Sequence, residues 1–167
     1  MTSLKGISSS LIDSGSGSSL RIAIIHTQWN VAIVNSLVEG AKSELERLGV
    51  DFIHIEQVPG AFELPLGADS VLSAGPLLNI DAVICIGCLI KGETMHFEYI
   101  CEAVSQGIMR LNLDHKKPVI FGVLAVLNEK QAEARSGLGE HSHNHGIEWA
   151  QSAVKMALLK KRLQRFQ

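Results

Sequence analysis

The sequence predicts a three-layer α/β/α sandwich around a four-stranded parallel sheet, and three observations carry that prediction. The runs "LRIAIIH", "DFIHIEQV", "DAVICIG" and "VIFGVLAVL" are short, rich in β-branched residues and largely apolar on both faces. Strands of this kind belong to parallel sheets covered by helices on each side. They alternate with longer segments whose apolar residues recur at helical spacing. Gly and Pro punctuate the joints, as at Gly49, Pro59-Gly60 and Pro118. Right-handed crossovers between such strands give a sandwich of flavodoxin-like type.

Each element has its own local signal. Residues 1–19 are rich in Ser and Gly and lack periodicity, which reads as a flexible arm ahead of a single domain at 20–167. After the first strand, Val34, Leu37, Val38, Ala41, Leu45 and Leu48 keep helical spacing, and Gly49 is a stop signal. The second strand ends at Pro59-Gly60, and "FELPLGADSVLSAG" reads as a helix with Pro65 near its first turn. Beyond the third strand, a helix is expected from about His96 to Leu113, with Ile100, Ala103, Val104, Ile108 and Leu111 facing inward. Pro118 opens the fourth strand. A short helix near Glu129 to Arg135 and a longer one from about Glu148 to Arg165 complete the chain. Lys160, Lys161 and Arg162 oppose the dipole in the last turns.

Composition narrows the function classes. A chain of 167 residues with 46% apolar and 19% charged content is one globular domain with room for a real core. The net charge of −2 is dispersed, which excludes a basic nucleic-acid surface or a polybasic membrane patch. No apolar run approaches the ~18 residues of a membrane span, and Leu11-Ile12 is too short for the apolar stretch of a signal peptide. Cys85, Cys88 and Cys101 are an odd number in apolar surroundings, as expected of a reducing cytoplasm. Cys85 and Cys88 spell CxxC, but on a strand their Cα atoms lie about 10 Å apart, beyond the ~7 Å limit for bridging. They read as core thiols.

In doubly wound sheets, ligands bind beyond the carboxyl ends of the strands. Four pieces of chain meet on that rim: His26 to Asn30, Pro59 to Glu63, Cys88 to His96, and Leu127-Asn128. Trp29 offers a flat apolar face and Asn30 a donor and acceptor, a pair suited to a planar heterocycle. Equally, Trp29 covers the core and Asn30 caps the next helix. Gly60 allows close backbone approach, Phe62 adds a ring, and Glu63 accepts from hydroxyls; the alternative is a turn with an acid at a helix start. Gly92, Glu93 and Thr94 precede a helix, where free N–H groups and the positive dipole end favour an anion such as phosphate. His96, in the first helical turn, exchanges protons near neutral pH, although a lone histidine is more often structural. Arg135 ends a short helix and suits bidentate phosphate binding or simple solvation. "HSHNHG" supplies His141, His143 and His145 without zinc-module spacing, so a metal is not expected.

The motifs "PGAFELP", "GCLIKGETMHFEYI", "PVIFGVL" and "NEKQAEARSG…HNHG" resemble those of the lumazine synthase family, from about Arg21 to the C-terminus. "HNHG" and Trp29 resemble its fungal branch. The resemblance implies condensation of 5-amino-6-(D-ribitylamino)uracil with 3,4-dihydroxy-2-butanone 4-phosphate, with no metal or organic cofactor. An imine forms, phosphate leaves, and ring closure gives the lumazine. On this resemblance Trp29 stacks on the pyrimidine with Asn30 beside it. Gly60, Ala61, Phe62 and Glu63 line the ribityl chain. Cys88, Leu89, Ile90 and Lys91 meet the pyrimidine edge, largely through backbone. Gly92, Glu93 and Thr94 hold phosphate, and His96 shuttles protons. The resemblance also implies a homopentamer with sites between neighbours, to which Phe121, Arg135 and His145 come from the adjacent chain, Arg135 pairing with phosphate.

Two positions depart from the family pattern. Ser136 stands where alanine is usual, and His145 stands where many bacterial relatives carry lysine. The loop "LGEHS" is longer than in cage-forming relatives, which implies a free pentamer. Two other readings use the same rim: a riboflavin- or pterin-binding protein without turnover, and a histidine-dependent metalloenzyme.

Overall fold

The computed structural model describes residues 13–165. In chain order the elements are β1 (Arg21–Thr27), α1 (Val31–Arg47), β2 (Phe52–Val58), α2 (Leu64–Ser73), β3 (Ala82–Ile90), α3 (His96–Asp114), β4 (Val119–Val126), α4 (Glu129–Ser136) and α5 (His145–Gln164). Short 3-10 turns at Ala61–Glu63 and Gly75–Leu77 flank α2. The strands form one parallel sheet in the order β2-β1-β3-β4. This is the three-layer arrangement that the sequence predicts.

Side-chain alternation divides the core by sheet face. Ile22, Ile24, Ile84, Ile86 and Cys88 point to one side, where Val34, Leu37, Ala41 and Leu45 of α1 and Ala150, Ala153, Val154 and Ala157 of α5 meet them. Ala23, Ile25, Val83 and Cys85 point to the other side, against Leu64, Ala68 and Val71 of α2 and Val104 and Ile108 of α3. Strand β3 is buried from Ala82 to Cys88. Edge strand β2 instead exposes Ile55, Glu56 and Gln57.

Several local expectations change. The terminal helix begins at His145, three residues before the expected start, because Asn144 caps it: its side chain accepts from the Gly146 N–H at 2.9 Å. The Asn144 amide also donates to Ser36 O at 2.7 Å, fixing α5 against α1. Crowding leaves no alternative to glycine at 146, since a Cβ there would lie 2.1 Å from Leu37 O. Ala103 is exposed rather than inward-facing, because α3 buries only Val104 and Ile108 fully. Strand β3 runs on past Gly87 to Ile90.

Of the expected arm, residues 1–12 lie outside the described residues. Residues 13–19 are tied to the domain by hydrogen bonds. Gly17 N–H donates to Leu48 O at 2.7 Å, Ser19 N–H to Asp51 Oδ2 at 2.8 Å, and Lys161 Nζ to Ser19 O at 2.8 Å. No helix among the described residues is long and apolar enough to cross a membrane.

Both cysteines of CxxC lie on β3, pointing to opposite faces, and all three thiols are free. Burial pushes the Cys85 thiol up to about 12 and the Cys88 thiol to about 11. Neither presents a thiolate near neutrality. Titration of the native protein with a disulfide reagent at pH 8 is expected to modify at most Cys101. All three should react after unfolding in guanidinium, and rapid native reaction of two thiols would contradict the buried placement.

Candidate functional site

Strand order creates the site. The chain moves from β1 outward to β2, then returns to place β3 on the other side of β1. Connections leaving β1 and β3 therefore diverge, and the crevice between their carboxyl ends is the position at which such sheets take ligands. The segment after β1 is Gln28-Trp29-Asn30, and the segment after β3 is Lys91 to Met95.

Asn30 links the two. Its backbone is left-handed, with φ 54° and ψ 50°, a conformation that asparagine adopts more readily than most residues. It occupies the position before α1 without capping it through its side chain. Instead its Nδ2 donates to Cys88 O at 2.9 Å, across the crevice. The sequence alternatives for Asn30 were a ligand contact or a helix cap; the geometry adds a strap between β1 and β3. Cys88 brings no side chain to the rim, since its thiol is buried in the core.

The loop after β2 supplies a second wall. Trp29 is 72% exposed and Phe62 59% exposed, two large apolar surfaces open to solvent. Gly60 is extended, with φ −148°, so its backbone angles are open to any residue. The requirement is space: a Cβ at Gly60 would lie 3.1 Å from Glu63 Oε2 and 3.7 Å from Trp29 Nε1. The indole, the carboxylate and a bare stretch of backbone therefore converge. Ala61 is buried and Glu63 half-buried. At the base of this wall, Thr27 is 2% exposed and its hydroxyl has no hydrogen-bond partner among the described residues.

The loop after β3 is the anion-compatible part. Lys91 N–H donates to Val126 O at 2.9 Å, which continues the β3–β4 ladder one residue past Ile90. The first helical bond of α3 is Tyr99 N–H to Met95 O. Thr94 Oγ1 accepts from the His96 N–H at 3.4 Å. Among the described residues, the amides of Gly92, Glu93 and Thr94 have no partner. Gly92, Glu93, Thr94 and His96 are all exposed. A Cβ on Gly92 would meet nothing within 4 Å. The chain itself leaves this approach clear. Free amides at the start of a 19-residue helix are donors suited to an anion.

Phe121, Arg135 and His145 are not brought to these loops. Phe121 projects from β4 and is 40% exposed. Arg135 donates to Gln131 O at 3.1 Å, along its own helix. His145 Nδ1 meets Glu148 Oε2 at 2.7 Å, while His143 Nε2 meets Glu148 Oε1 at 3.3 Å. No hydrogen bond or ion pair among the described residues joins the three to the loops after β1, β2 or β3. No group of three or more His, Cys, Asp or Glu among the described residues is arranged to hold a metal ion. Ser136 is wholly buried, and its hydroxyl donates to Glu133 O at 3.2 Å.

Three acidic groups leave no readable signal in the sequence. Glu98 carries the Lys91 ion pair, seven residues away across an irregular loop that conceals the pairing. Glu148 stands three residues after His145, a helical spacing that becomes readable once Asn144 is recognised as the cap. Glu129 and Glu133 line a shallow cavity of about 270 Å³ with Asn30, Ile33, Ile90 and Leu138, beside the crevice.

Residues 19–161 match the family model described as 6,7-dimethyl-8-ribityllumazine synthase. Proteins described by the same words are similar over most of their length. One from Schizosaccharomyces pombe is 49% identical, covering 85% of this chain and 89% of its own. One from Pyricularia oryzae is 43% identical, covering 87% and 90%. One from Porphyromonas gingivalis is 45% identical, covering 87% and 88%.

The Asn30 strap gives a direct expectation. Asn30→Ala loses the bond to Cys88 O and places a Cβ residue without local polar support in a left-handed conformation. Urea unfolding is expected to show about 1–3 kcal/mol of destabilisation. Asn30→Gly loses only the bond and should cost less; a glycine variant no more stable than the alanine variant would contradict the geometry.

Proposed function

The chain belongs to the 6,7-dimethyl-8-ribityllumazine synthase family, a transferase family of riboflavin biosynthesis, and from this premise we propose how its residues divide the reaction. The unpartnered amides of Gly92, Glu93 and Thr94, with His96 as the first residue of α3, carry the proposal. The ketone substrate carries a phosphate that must be held and then released. Amides fixed at a helix start hold a dianion without needing a fixed counter-charge. His96, exposed beside them, moves protons during imine formation and elimination.

Trp29 stacks on the pyrimidine of 5-amino-6-(D-ribitylamino)uracil, with the main chain of Cys88 to Lys91 along its edge. Glu63 accepts from the ribityl hydroxyls over Gly60, Ala61 and Phe62. The convergence of indole, carboxylate and uncovered backbone at Gly60 supports this division. Much of the acceleration is positional, since orienting two bound reactants is worth about 7–11 kcal/mol in favourable cases.

The site is completed by a neighbouring copy in a ring of five, which presents Phe121, Arg135 and His145. Two observations support an incomplete monomer. None of these residues reaches the rim of its own chain, and Trp29, Val31, Phe62, Leu127 and Leu138 are large apolar side chains open to solvent around it. Exposed apolar surface on this scale marks an association face. The free thiols support placement in the cytoplasm.

Product absorbance after mixing both substrates tests the reaction. His96→Ala is expected to lower kcat by about 10²-fold or more, the scale of one lost acid–base group, with both KM values within a few-fold of native. An unchanged kcat would remove His96 from proton transfer. Flavin binding with no product from the native protein would favour a binding protein on the same rim.

A further inference from the structure

The reaction as assigned above makes no use of the Glu98 side chain, yet Glu98 ties down the loop on which that assignment turns. Between Lys91 and Glu98 the chain leaves β3, passes through Gly92 to Met95 and enters the first turn of α3. The ends of this segment are joined, because the Lys91 ammonium donates to Glu98 Oε1. The Lys91 ammonium also lies over the Phe97 ring, with Nζ 5.9 Å from its centroid. Main-chain bonds hold the same ends: Lys91 N–H on Val126 O, and Tyr99 N–H on Met95 O. Among the described residues, the amides of Gly92, Glu93 and Thr94 between them have no tether.

Local environment favours a persistent pair. The Lys91 ammonium, helped by a main-chain hydrogen bond, holds the Glu98 carboxyl below the usual carboxylate range. Glu98 Oε2 is buried and has no hydrogen-bond partner among the described residues, so only Oε1 is engaged. The sign of the pH dependence follows. A carboxyl whose folded value is depressed contributes fully above its unfolded value, and the contribution is lost as pH falls through the folded one. On the carboxyl side the pair is therefore constant around neutrality and is lost in acid.

An ion pair with partners 45% and 33% exposed adds little to global stability. Its leverage is local. A short loop held at both ends has fewer conformations to lose when its amides converge on an anion, and binding is tighter for it. We infer that Glu98 is a positioning residue for the phosphate-bearing substrate: through Lys91 it holds the Gly92–Thr94 amides in their binding arrangement before the anion arrives. This rests on the reading of residues 92–94 as the phosphate site. It adds a residue that acts through the loop rather than by contact with the ligand.

A competing account gives the opposite sign. If Lys91 served the phosphate as a free charge, Glu98 would compete with the ligand for it, and removing the carboxylate would strengthen binding. Inorganic phosphate is titrated calorimetrically into the assembled protein for native, Glu98→Gln, Glu98→Ala and Glu98→Asp. The KM of each substrate is measured beside it. Glu98→Gln and Glu98→Ala are expected to bind phosphate about five-fold more weakly, and to raise KM for the phosphate substrate alike. KM for the ribitylaminouracil and the thermal midpoint should stay near native, and Glu98→Asp should recover part of the loss. Unchanged or stronger phosphate binding in Glu98→Gln overturns the inference, as does an equal rise in both KM values. The titration needs no turnover. Weakened phosphate binding in a protein that makes no product would support the strap and contradict the assigned reaction. Phosphate bound away from residues 92–94 in the native protein would overturn both.

Discussion

Between Ala82 and Cys88 the chain has no face turned to water, and it pairs with a parallel neighbour on each side. Such a strand can occupy only the middle of a covered sheet. Its register fixes where the chain emerges, and every loop of the rim is placed relative to that exit. Because β1 is its neighbour on one side and β4 on the other, the exit lies where connections on the two sides of the sheet part. The crevice results from strand order more than from any single residue, and for that reason it accepts loops of very different composition.

Loops at such a switch point are held by few bonds. Asn30 spans the crevice to Cys88 O, Lys91 extends the ladder to Val126, and Thr94 receives the first amide of α3. These ties hold the ends and leave the amides of residues 92–94 free among the described residues. The sheet thus fixes the ends of the loop, while the amides between them stay unpartnered among the described residues. Phe121 on β4 is partly open to solvent, while Arg135 on α4 and His145 on α5 are engaged by partners on their own helices.

The sheet was legible in the sequence because burial on both faces writes itself as an unbroken apolar run, as in "AVICIG". Helices with one buried stripe were legible for the same reason, with α1 clearest. Ala103 misled because small residues satisfy an apolar pattern without being needed in the core. The start of α5 was hidden, since "HSHNHG" looks like a histidine cluster unless Asn144 is weighed as a cap. Rim residues were found because strand ends are recognisable. Their local partners were less legible: that Asn30 spans the crevice and that the Cys88 thiol lies in the core shows only in three-dimensional pairing. Pairings across irregular backbone, Lys91 with Glu98 above all, leave no periodic trace.

Whether the free amides at the start of α3 are the anion site is tested most directly by a crystal of the assembled protein soaked in phosphate. Phosphate is predicted to sit within hydrogen-bond distance of the Gly92, Glu93 or Thr94 amides, with the His96 ring facing the same space. Phosphate settling instead among Lys117, Lys160 and Lys161, at the opposite end of the sheet, with the amides of residues 92–94 unoccupied, would contradict it.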